Sequence, residues 1–235
     1  MMHLKGPWLA GVLAAALLAA FQGAAAQSPT EINKCRAIKK PGSYIVTRNL
    51  PSGSGLKGDD CLIVRSDLVT IDLGGFVLEG NRKGSGITDK NRTRRSITVR
   101  NGTITNFETG VDLDETTEAV IRDLQVVDND GDGIRAGKGC NISDTVASRN
   151  GGNGIYADNG NCAIEDNVAN ENEEDGLQLN EPGHTVSGNT ANDNNKDGIQ
   201  VDCESNLTGN TALENNGQNL REAGAGCRTS GNLAP

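Results

Sequence analysis

The chain has 235 residues, a formal net charge of −9 at pH 7 and 3% aromatic residues, and it is rich in glycine, asparagine and aspartate. Such a chain is either loop-rich or periodic. No segment after the first 26 residues is apolar enough to be a candidate membrane span. The charge is uneven: residues 27–105 carry 14 Lys/Arg against 7 Asp/Glu, whereas residues 106–235 carry 7 against 24.

An export signal is predicted over residues 1–26. Lys5 supplies the positive start, "WLAGVLAAALLAAF" is the apolar stretch, and Ala24 to Ala26 form a small-residue cleavage site. The apolar run of about 14 residues is shorter than the roughly 20 that span a membrane, which argues against a retained anchor. We therefore expect a secreted or periplasmic protein in an oxidising space.

Residues 27–60 are predicted to form an N-terminal cap. This segment does not share the repeat described below, and "PGSYIVTRNL" indicates a turn and a strand. A cap is expected because an open end of stacked strands invites aggregation.

Residues 61–235 contain a repeat of about 22 residues. "ISDTVASRNGGNGIYA", "IEDNVANENEEDGLQL", "VSGNTANDNNKDGIQV" and "LTGNTALENNGQNLRE" align so that asparagines share one column and aliphatic residues follow five positions later. The asparagines are Asn106, Asn129, Asn150, Asn172, Asn194 and Asn215; the aliphatic residues include Ile155, Leu177 and Ile199. We expect this column at a bend, where asparagine tolerates left-handed backbone angles and its amide can bond to the next turn.

The short alternations "GIYAD", "GLQLN" and "GIQVD" are typical of strands joined by tight turns, and they lack the three- and four-residue spacing of a helix. A repeat of this length built from short strands predicts one turn of a parallel β-helix. The predicted fold is an all-β, single-stranded, right-handed parallel β-helix of about eight rungs.

Over residues 61–233 the sequence resembles the right-handed parallel β-helix repeat proteins of the pectate-lyase-like superfamily, on the motifs "NDGDGI", "NGGNGI", "NEEDGL" and "NNKDGI". That superfamily includes pectate lyases, polygalacturonases, alginate epimerases and carbohydrate-binding sugar-hydrolase domains. The resemblance implies a fold and a polysaccharide context more than any one activity.

Six cysteines are predicted to form three disulfides. Cys140 and Cys162 occupy the same place in successive repeats, and Cys203 and Cys227 are also about one repeat apart. Stacked strands lie about 4.8 Å apart, within the Cα separation of a disulfide. Pairing of Cys35 with Cys61 would tie the cap to the first turn. The alternative is that some cysteines stay as buried thiols. His184 falls in the Cys140/Cys162 column, and we expect a structural role.

The stretch "DNDGDGI", from Asp128 to Ile134, has the aspartate spacing of an EF-hand, but its twelfth position is Gly139 and its flanks are not helical. Its last three residues recur as "DGL" at Asp175 and "DGI" at Asp197. Aspartate before glycine suits a tight turn. Resemblance to the similar polygalacturonase motif instead implies a catalytic edge containing Asp132, Asp175 and Asp197. Both interpretations stay open.

Strand alternation predicts a second candidate site on the outward side of the same strands. If Ile155 points inward, the outward side chains are Asp112, Asp114, Arg135, Tyr156, Asp158, Gln178, Asn180, Gln200 and Asp202. Acids, amides, one arginine and one tyrosine are typical of a saccharide groove. In the lyases and epimerases that the sequence resembles, a base such as tyrosine acts beside an arginine or Ca²⁺ that neutralises a uronate carboxylate. Arg135 and Tyr156 are candidates for those roles.

We predict that the protein binds carbohydrate or another surface polymer, such as a cell-surface glycan, along this face, without an assigned catalytic activity. The alternatives are a polysaccharide lyase, epimerase or glycoside hydrolase on the same face, and a structural or interaction rod. No cofactor is certain, although Ca²⁺ could relieve repulsion among stacked carboxylates. We expect no nucleic-acid partner. The basic stretch at residues 82–95 is the one obvious polyanion-binding segment, with a solvated loop as the alternative.

Overall fold

The computed structural model describes residues 28–56 and 58–235. Within these ranges the chain forms strands and turns and no helix, which confirms an all-β protein. The export signal predicted over residues 1–26 lies outside the described residues. In the described part of the chain, no helix is long and apolar enough to cross a membrane.

The strands are short and follow one another at regular intervals. In chain order they are β1 (Thr30–Ile32), β2 (Arg36–Ile38), β3 (Gly42–Val46), β4 (Leu50–Pro51), β5 (Leu62–Val64), β6 (Val69–Asp72), β7 (Val77–Glu79), β8 (Ser85–Thr88), β9 (Arg94–Arg95), β10 (Ile97–Thr105), β11 (Thr109–Leu113), β12 (Thr116–Thr117), β13 (Val120–Val127), β14 (Ile134–Ala136), β15 (Asn141–Ser143), β16 (Val146–Ser148), β17 (Ile155–Ala157), β18 (Ala163–Glu165), β19 (Leu177–Leu179), β20 (Thr185–Ser187), β21 (Ile199–Asp202), β22 (Asn206–Thr208), β23 (Leu220–Ala223) and β24 (Arg228–Ser230).

Two parallel sheets contain nearly all of these strands. The first sheet follows the order β1-β3-β6-β10-β13-β15-β18-β20-β22-β24, with β4, β7 and β16 paired beside it, and the second follows β2-β5-β8-β11-β14-β17-β19-β21-β23. Because strands of the two sheets alternate along the chain, the chain winds around one axis as a parallel β-helix. Among the described residues the second sheet has nine strands, one for each turn. The helix therefore has about nine turns, close to the eight predicted.

The predicted cap segment contributes strands to both sheets. β1 pairs with β3, and β2 pairs with β5, in each case in parallel. The ladders therefore reach back into residues 27–60. The division of the chain into a cap and a β-helix at residue 60 stays a prediction.

Aliphatic side chains stack in register inside the helix. Ile134, Ile155, Leu177 and Ile199 are successive partners in the second sheet, and each is fully buried. The prediction that the repeated aliphatic residues are neighbours is confirmed. One turn alone could bury little of this apolar surface, so each turn depends on the next for its stability.

The predicted asparagine column forms a hydrogen-bonded ladder from Asn129 to Asn215. The side chain of Asn172 shows the pattern, since its Nδ2 donates to Asn194 Oδ1 at 3.0 Å and to the Ala147 carbonyl at 3.1 Å. Its Oδ1 accepts the backbone N–H of Asn150 at 3.0 Å. Each ladder amide up to Asn194 thus joins its own turn to the turns on either side, and the ladder ends where Asn215 bonds to Asn219.

Two details of the asparagine prediction are wrong. Of the predicted asparagines only Asn106 has the left-handed angle, at φ 58°; elsewhere it belongs to the residue before the asparagine, for example Arg149 at φ 56° and Glu171 at φ 57°, so those asparagines are needed for their amides. In addition, Asn106 is not in the ladder. Thr105 pairs with Val127, which places Phe107 opposite Asn129, and the Phe107 N–H donates to Asn129 Oδ1 at 3.0 Å.

Sequence reasoning missed a second asparagine ladder, in the turns after β18, β20, β22 and β24. Its members bond from turn to turn at 3.0 Å or less, and they are Asn167, Asn189, Asn210 and Asn232. It begins where Thr145 donates its backbone N–H to Asn167. The sequence signal is the asparagine that recurs as the second residue of "DNVAN", "GNTAN" and "GNTAL".

All three predicted disulfides are present: Cys35–Cys61, Cys140–Cys162 and Cys203–Cys227, with Cα separations of 4.4, 4.6 and 4.6 Å. The described residues include no free cysteine. Three disulfides are typical of an extracellular or periplasmic protein.

His184 continues the Cys140/Cys162 column, as predicted. Its Nδ1 accepts the backbone N–H of Cys162 at 3.3 Å, and its Nε2 lies 3.0 Å from the Asn180 carbonyl. The ring is fully buried, and burial lowers its pKa. Because Nδ1 accepts, Nε2 carries the proton in the neutral ring and donates to Asn180.

Candidate functional site

The outward side of the second sheet carries three columns of polar side chains that run along the helix axis. The central column holds the middle residue of each strand: Thr88, Asp112, Arg135, Tyr156, Gln178, Gln200 and Arg221. The leading column lies three positions earlier and contains Asp132, Asn153, Asp175, Asp197 and Gln218. The trailing column lies two positions later and contains Asp114, Gly137, Asp158, Asn180 and Asp202. We call the three columns together the polar face.

The centre of the polar face is Arg135 on β14. Its guanidinium lies 3.5 Å from Asp114, 3.7 Å from Asp132 and 3.9 Å from Asp112. These are ion-pair distances, longer than an ordinary hydrogen bond. The buried Nε of Arg135 and Oδ1 of Asp114 have no hydrogen-bond partner. The cluster is therefore held by charge but keeps unused hydrogen-bonding capacity.

Tyr156 lies beside Arg135 on the next strand. The guanidinium carbon is 5.2 Å from the centre of the tyrosine ring, within cation–π range. The two residues are direct partners in the β14–β17 ladder, so the predicted adjacency of Arg135 and Tyr156 is present in the fold. The guanidinium lies over one face of the tyrosine ring at the middle of the polar face, and we call this stacked pair the platform.

The Tyr156 hydroxyl belongs to a small hydrogen-bond network. It donates to Asp158 Oδ1 at 2.7 Å, and Asn180 Nδ2 donates to both Tyr156 Oη at 3.2 Å and Asp158 Oδ1 at 3.1 Å. Burial and the bond to Asp158 raise the pKa of Tyr156 to about 12. The bond from Tyr156, and then that from Asn180, lower the pKa of Asp158. At neutral pH the tyrosine is a hydrogen-bond donor and Asp158 is an ion.

Asp112 is the carboxylate whose ionisation is most perturbed. Burial, and then the neighbouring Asp114, raise its pKa to about 6, although Arg135 acts in the opposite direction. It lines a shallow pocket of about 320 Å³ together with Lys90, Asp114 and Arg135. A carboxyl group with a pKa near 6 can hold or release a proton close to neutral pH.

The leading column connects neighbouring turns. Oδ1 of Asp132 accepts the backbone N–H of Asn153 at 2.7 Å, and Asp175 and Asp197 accept the N–H of the corresponding residue one turn further on, also at 2.7 Å. Asp175 and Asp197 are adjacent, and Asn153 separates Asp132 from Asp175, as the repeat predicts. Burial raises the pKa of Asp175. Half of each carboxylate is committed to the backbone, which supports the turn interpretation of the "DGI" motif.

The far end of the polar face is richer in amides. Gln178 and Gln200 continue the central column, and Asp202 Oδ2 accepts the backbone N–H of Glu181 at 2.9 Å. The column ends at Arg221, which sequence reasoning missed. Its Nη1 lies 3.4 Å from both Asp197 and Gln200. The alignment of "NLRE" with "GIQV" was the available signal.

The aspartates of "DNDGDGI" do not converge. Asp128 pairs with Arg149 at 3.0 Å, Asp130 pairs with Arg82, and Asp132 faces Arg135. Each carboxylate therefore has a separate arginine, unlike a calcium loop whose oxygens point at one ion. Asp128 and Asp130 line a separate pocket of about 420 Å³ beside the asparagine ladder. The basic stretch is also partly neutralised, because Arg82 and Lys90 pair with Asp130 and Asp60.

Metal binding on the polar face stays a prediction. Asp112 and Asp114 offer the oxygen ligands that Ca²⁺ prefers, but the Arg135 guanidinium lies within 3.9 Å of both and competes for them. In the described part of the chain, one group of three possible ligands has its ligand atoms close together, and it consists of Cys203, Glu222 and Cys227. Those cysteines are bonded to each other and so are not thiolate ligands.

The fold and its polar columns define a right-handed parallel β-helix protein. The family described as "Right handed beta helix region" matches residues 85–234, and the chain belongs to it. No curated protein matches the sequence.

Two solved structures from Azotobacter vinelandii share this fold. The A-module of mannuronan C-5 epimerase AlgE4 has 18% sequence identity and a TM-score of 0.65 over 83% of this chain. The A-module of mannuronan C-5 epimerase AlgE6 has 16% identity and a TM-score of 0.61 over 81% of this chain. The chain spans 60% and 56% of those two structures, and at such identities the likeness shows the fold alone.

Proposed function

We propose that the protein binds a polysaccharide along the polar face of the second sheet, without catalysing its conversion. The observation that carries the proposal is the platform of Arg135 and Tyr156 among the carboxylate and amide groups of the polar face. Sugar recognition needs a flat apolar surface together with hydrogen-bonding groups that point outward. Because the three columns cross successive strands at about 4.8 Å intervals, the face suits an extended polymer better than a single sugar.

Binding is favoured over catalysis because the candidate acids and bases have unsuitable protonation states or are already hydrogen-bonded to the backbone. A pKa of about 12 keeps the Tyr156 hydroxyl protonated at neutral pH, so it is a poor base. The lowered pKa of Asp158 makes that carboxylate a poor acid. Asp132, Asp175 and Asp197 each hold a backbone N–H of the next turn.

One observation favours a second candidate, a polysaccharide lyase, epimerase or glycoside hydrolase that uses the same face. Asp112 combines a pKa raised to about 6 with a position 3.9 Å from Arg135. A proton donor or acceptor beside a cation is a useful arrangement for acid–base chemistry. The shared fold with two mannuronan epimerases is consistent with this candidate.

Two substitutions at Tyr156 separate the candidates. Glycan-array and calorimetric binding, with and without Ca²⁺, would be measured for the wild type, Tyr156→Phe and Tyr156→Ala. A binding platform needs the ring, so we expect Tyr156→Ala to weaken binding about tenfold and Tyr156→Phe to change it little. In parallel, the bound glycans are incubated with the protein and assayed for unsaturated ends, new reducing ends and C-5 inversion.

Turnover that Tyr156→Phe abolishes would replace the binding proposal with the enzyme. Turnover that survives both Tyr156→Phe and Asp175→Asn would show that catalysis uses other residues. Absence of binding to any glycan would favour the third possibility, a structural or interaction rod.

A further inference from the structure

We propose that the polysaccharide carries free amino groups, so that the polar face is a receptor for a cationic glycan rather than for a polyuronate. This inference rests on the proposed function and names its ligand class. The central, leading and trailing columns contain seven aspartates (Asp112, Asp114, Asp132, Asp158, Asp175, Asp197 and Asp202) against two arginines (Arg135 and Arg221), a formal charge of −5. A ligand with a carboxylate on each sugar would have to overcome that field, whereas an ammonium group is attracted by it.

The two cations of the polar face are already matched by carboxylates. Arg135 has three aspartates within 3.9 Å, and Arg221 lies 3.4 Å from Asp197. An incoming sugar carboxylate would compete with these aspartates for each arginine. The excess negative charge would then be left without a partner.

From Asp114 onward the trailing column contains no cation, and Lys90, two positions after Thr88, pairs with Asp60. Its carboxylates, on Asp114, Asp158 and Asp202, recur on alternate turns with Gly137 and Asn180 between them. Since neighbouring strands lie about 4.8 Å apart, the carboxylates are spaced at roughly twice that interval. A linear glycan that crosses the strands would meet a carboxylate at regular steps, as a polymer with repeated amines requires.

Two pockets border this column, and both are acidic. The pocket beside Asp114 is lined by four carboxylates (Asp60, Glu108, Asp112 and Asp114) against Lys90 and Arg135. The pocket beside Asp158 is lined by Asp158 and Glu181 against Lys138. The Asp114 side chain is 23% exposed, and its Oδ2 lies 3.5 Å from Arg135, which is longer than an ordinary hydrogen bond. An ammonium group in this pocket would add a positive charge beside a carboxylate that no donor holds closely.

The test compares three hexasaccharides of equal length on the full folded protein: glucosamine with free amines, its N-acetylated form, and mannuronate. Affinities are measured by calorimetry in EDTA at 20 and 200 mM salt. The free-amine oligomer is expected to bind about tenfold more tightly than the N-acetylated one at 20 mM salt, and the mannuronate oligomer most weakly. The advantage of the amine should shrink several-fold at 200 mM salt because the attraction is screened.

A double substitution, Asp158→Asn with Asp202→Asn, removes two charges from the trailing column. We expect the amine preference to fall to about threefold or less, while the N-acetylated oligomer still binds. The matched control is Asp144→Asn with Asp166→Asn. These aspartates are exposed in the turns that follow β15 and β18, and the control makes the same change in net charge away from the polar face. It should keep the full amine preference.

Tighter binding of mannuronate than of glucosamine, or equal binding of the free-amine and N-acetylated oligomers, would overturn the cationic-glycan inference and leave the proposed function in place. Failure of all three oligomers and of every array glycan to bind would instead remove the proposed function, and this inference with it. An amine preference that the control variant loses equally would assign the effect to overall charge and would also overturn the inference.

Discussion

At the scale of single residues, the polar side chains of the ladders hydrogen-bond to backbone groups of the neighbouring turns. Asn, Cys and His side chains each place an acceptor where the preceding turn has a spare N–H, as Asn172 and His184 do, and Asp175 does the same for the following turn. Buried polar groups are costly when they lack partners, so each position tolerates few other side chains. The same role explains why "DGI" aspartates recur whether or not any of them contacts a ligand.

Asn172→Ala should cost on the order of 3 kcal/mol in free energy of unfolding. The substitution leaves the Asn150 N–H and the Ala147 carbonyl buried without their partner, and each such loss costs about 1–3 kcal/mol. Urea denaturation followed by circular dichroism gives the value. Asn195→Ala, at the exposed position that follows Asn194 in the next turn, is the control and should change stability little. Equal losses in the two variants would contradict the ladder interpretation.

His184 should make stability depend on pH. Burial lowers its pKa below the usual 6.5, so the unfolded chain binds a proton at a higher pH than the folded protein does. The contribution of His184 is therefore complete above about pH 6.5 and is lost as pH falls below that value. We expect the free energy of unfolding to drop more steeply between pH 7 and 5 in the wild type than in His184→Gln, which does not titrate. Parallel pH profiles would contradict a buried neutral ring.

At the scale of strands and turns, close stacking depends on glycine where one turn passes over the next. A Cβ built on Gly176 would lie 2.6 Å from the Gly198 carbonyl oxygen and 2.7 Å from the Asn194 side chain. These contacts are shorter than van der Waals distances, and one of them is to backbone. The spacing between β19 and β21 therefore leaves no room for a methyl group at this position.

We expect Gly176→Ala to destabilise the protein by at least about 2 kcal/mol, since the neighbouring turn must move to relieve the overlap. Thermal unfolding monitored by circular dichroism is the measurement, with exposed Glu173→Ala in the same turn as the control. A melting temperature unchanged from wild type would mean that the turns can separate more easily than the stacking suggests.

The repeat made most of the fold predictable, but not its irregular turns. Asn150, Asn172 and Asn194 recur at 22-residue intervals, and such a period with alternating strands has few solutions. Asn106 was misplaced because the turn after β10 is one residue shorter than its successors, so that Phe107 takes the ladder position. A single sequence shows the period but not where one residue has been lost.

The sequence predicted which side chains lie on the polar face, but not that Asp112, Asp114 and Asp132 gather around Arg135. Strand alternation placed Arg135 and Tyr156 side by side, and the β14–β17 ladder has them as partners. The pKa near 6 at Asp112 could not be predicted, because it depends on burial and on the side-chain conformations that bring Asp114 close. Arg221 was missed since its turn carries "NL" where its predecessors carry "GI" or "GL".

At the scale of the whole molecule, positive and negative charges are distributed unevenly along the helix axis. The chain changes from a basic excess over residues 27–105 to 24 acids against 7 bases over residues 106–235. Stacking places these acids in columns on successive strands, so the second part of the helix repels itself at low ionic strength.

Salt should therefore stabilise the protein. The Debye length falls from about 30 Å at 0.01 M to about 8 Å at 0.15 M, which screens repulsion between columns more than it weakens close ion pairs. We expect the melting temperature to rise by a few degrees between 10 and about 150 mM sodium chloride. Potassium glutamate at equal ionic strength is the control for specific chloride effects. A fall in melting temperature would show that ion pairs such as Arg149–Asp128 outweigh the repulsion.

The two asparagine ladders also bear on how such a molecule can change in length. The two sides of a turn present matching donors and acceptors. Asn150 Nδ2 donates to Asn172 Oδ1, and Asn172 Nδ2 donates to Asn194 Oδ1 in the same way. A duplicated unit of about 22 residues could therefore be inserted between two turns without creating a mismatched seam. Each insertion would lengthen the polar face by one strand, so the number of sugar units contacted could evolve by copying rather than by redesign.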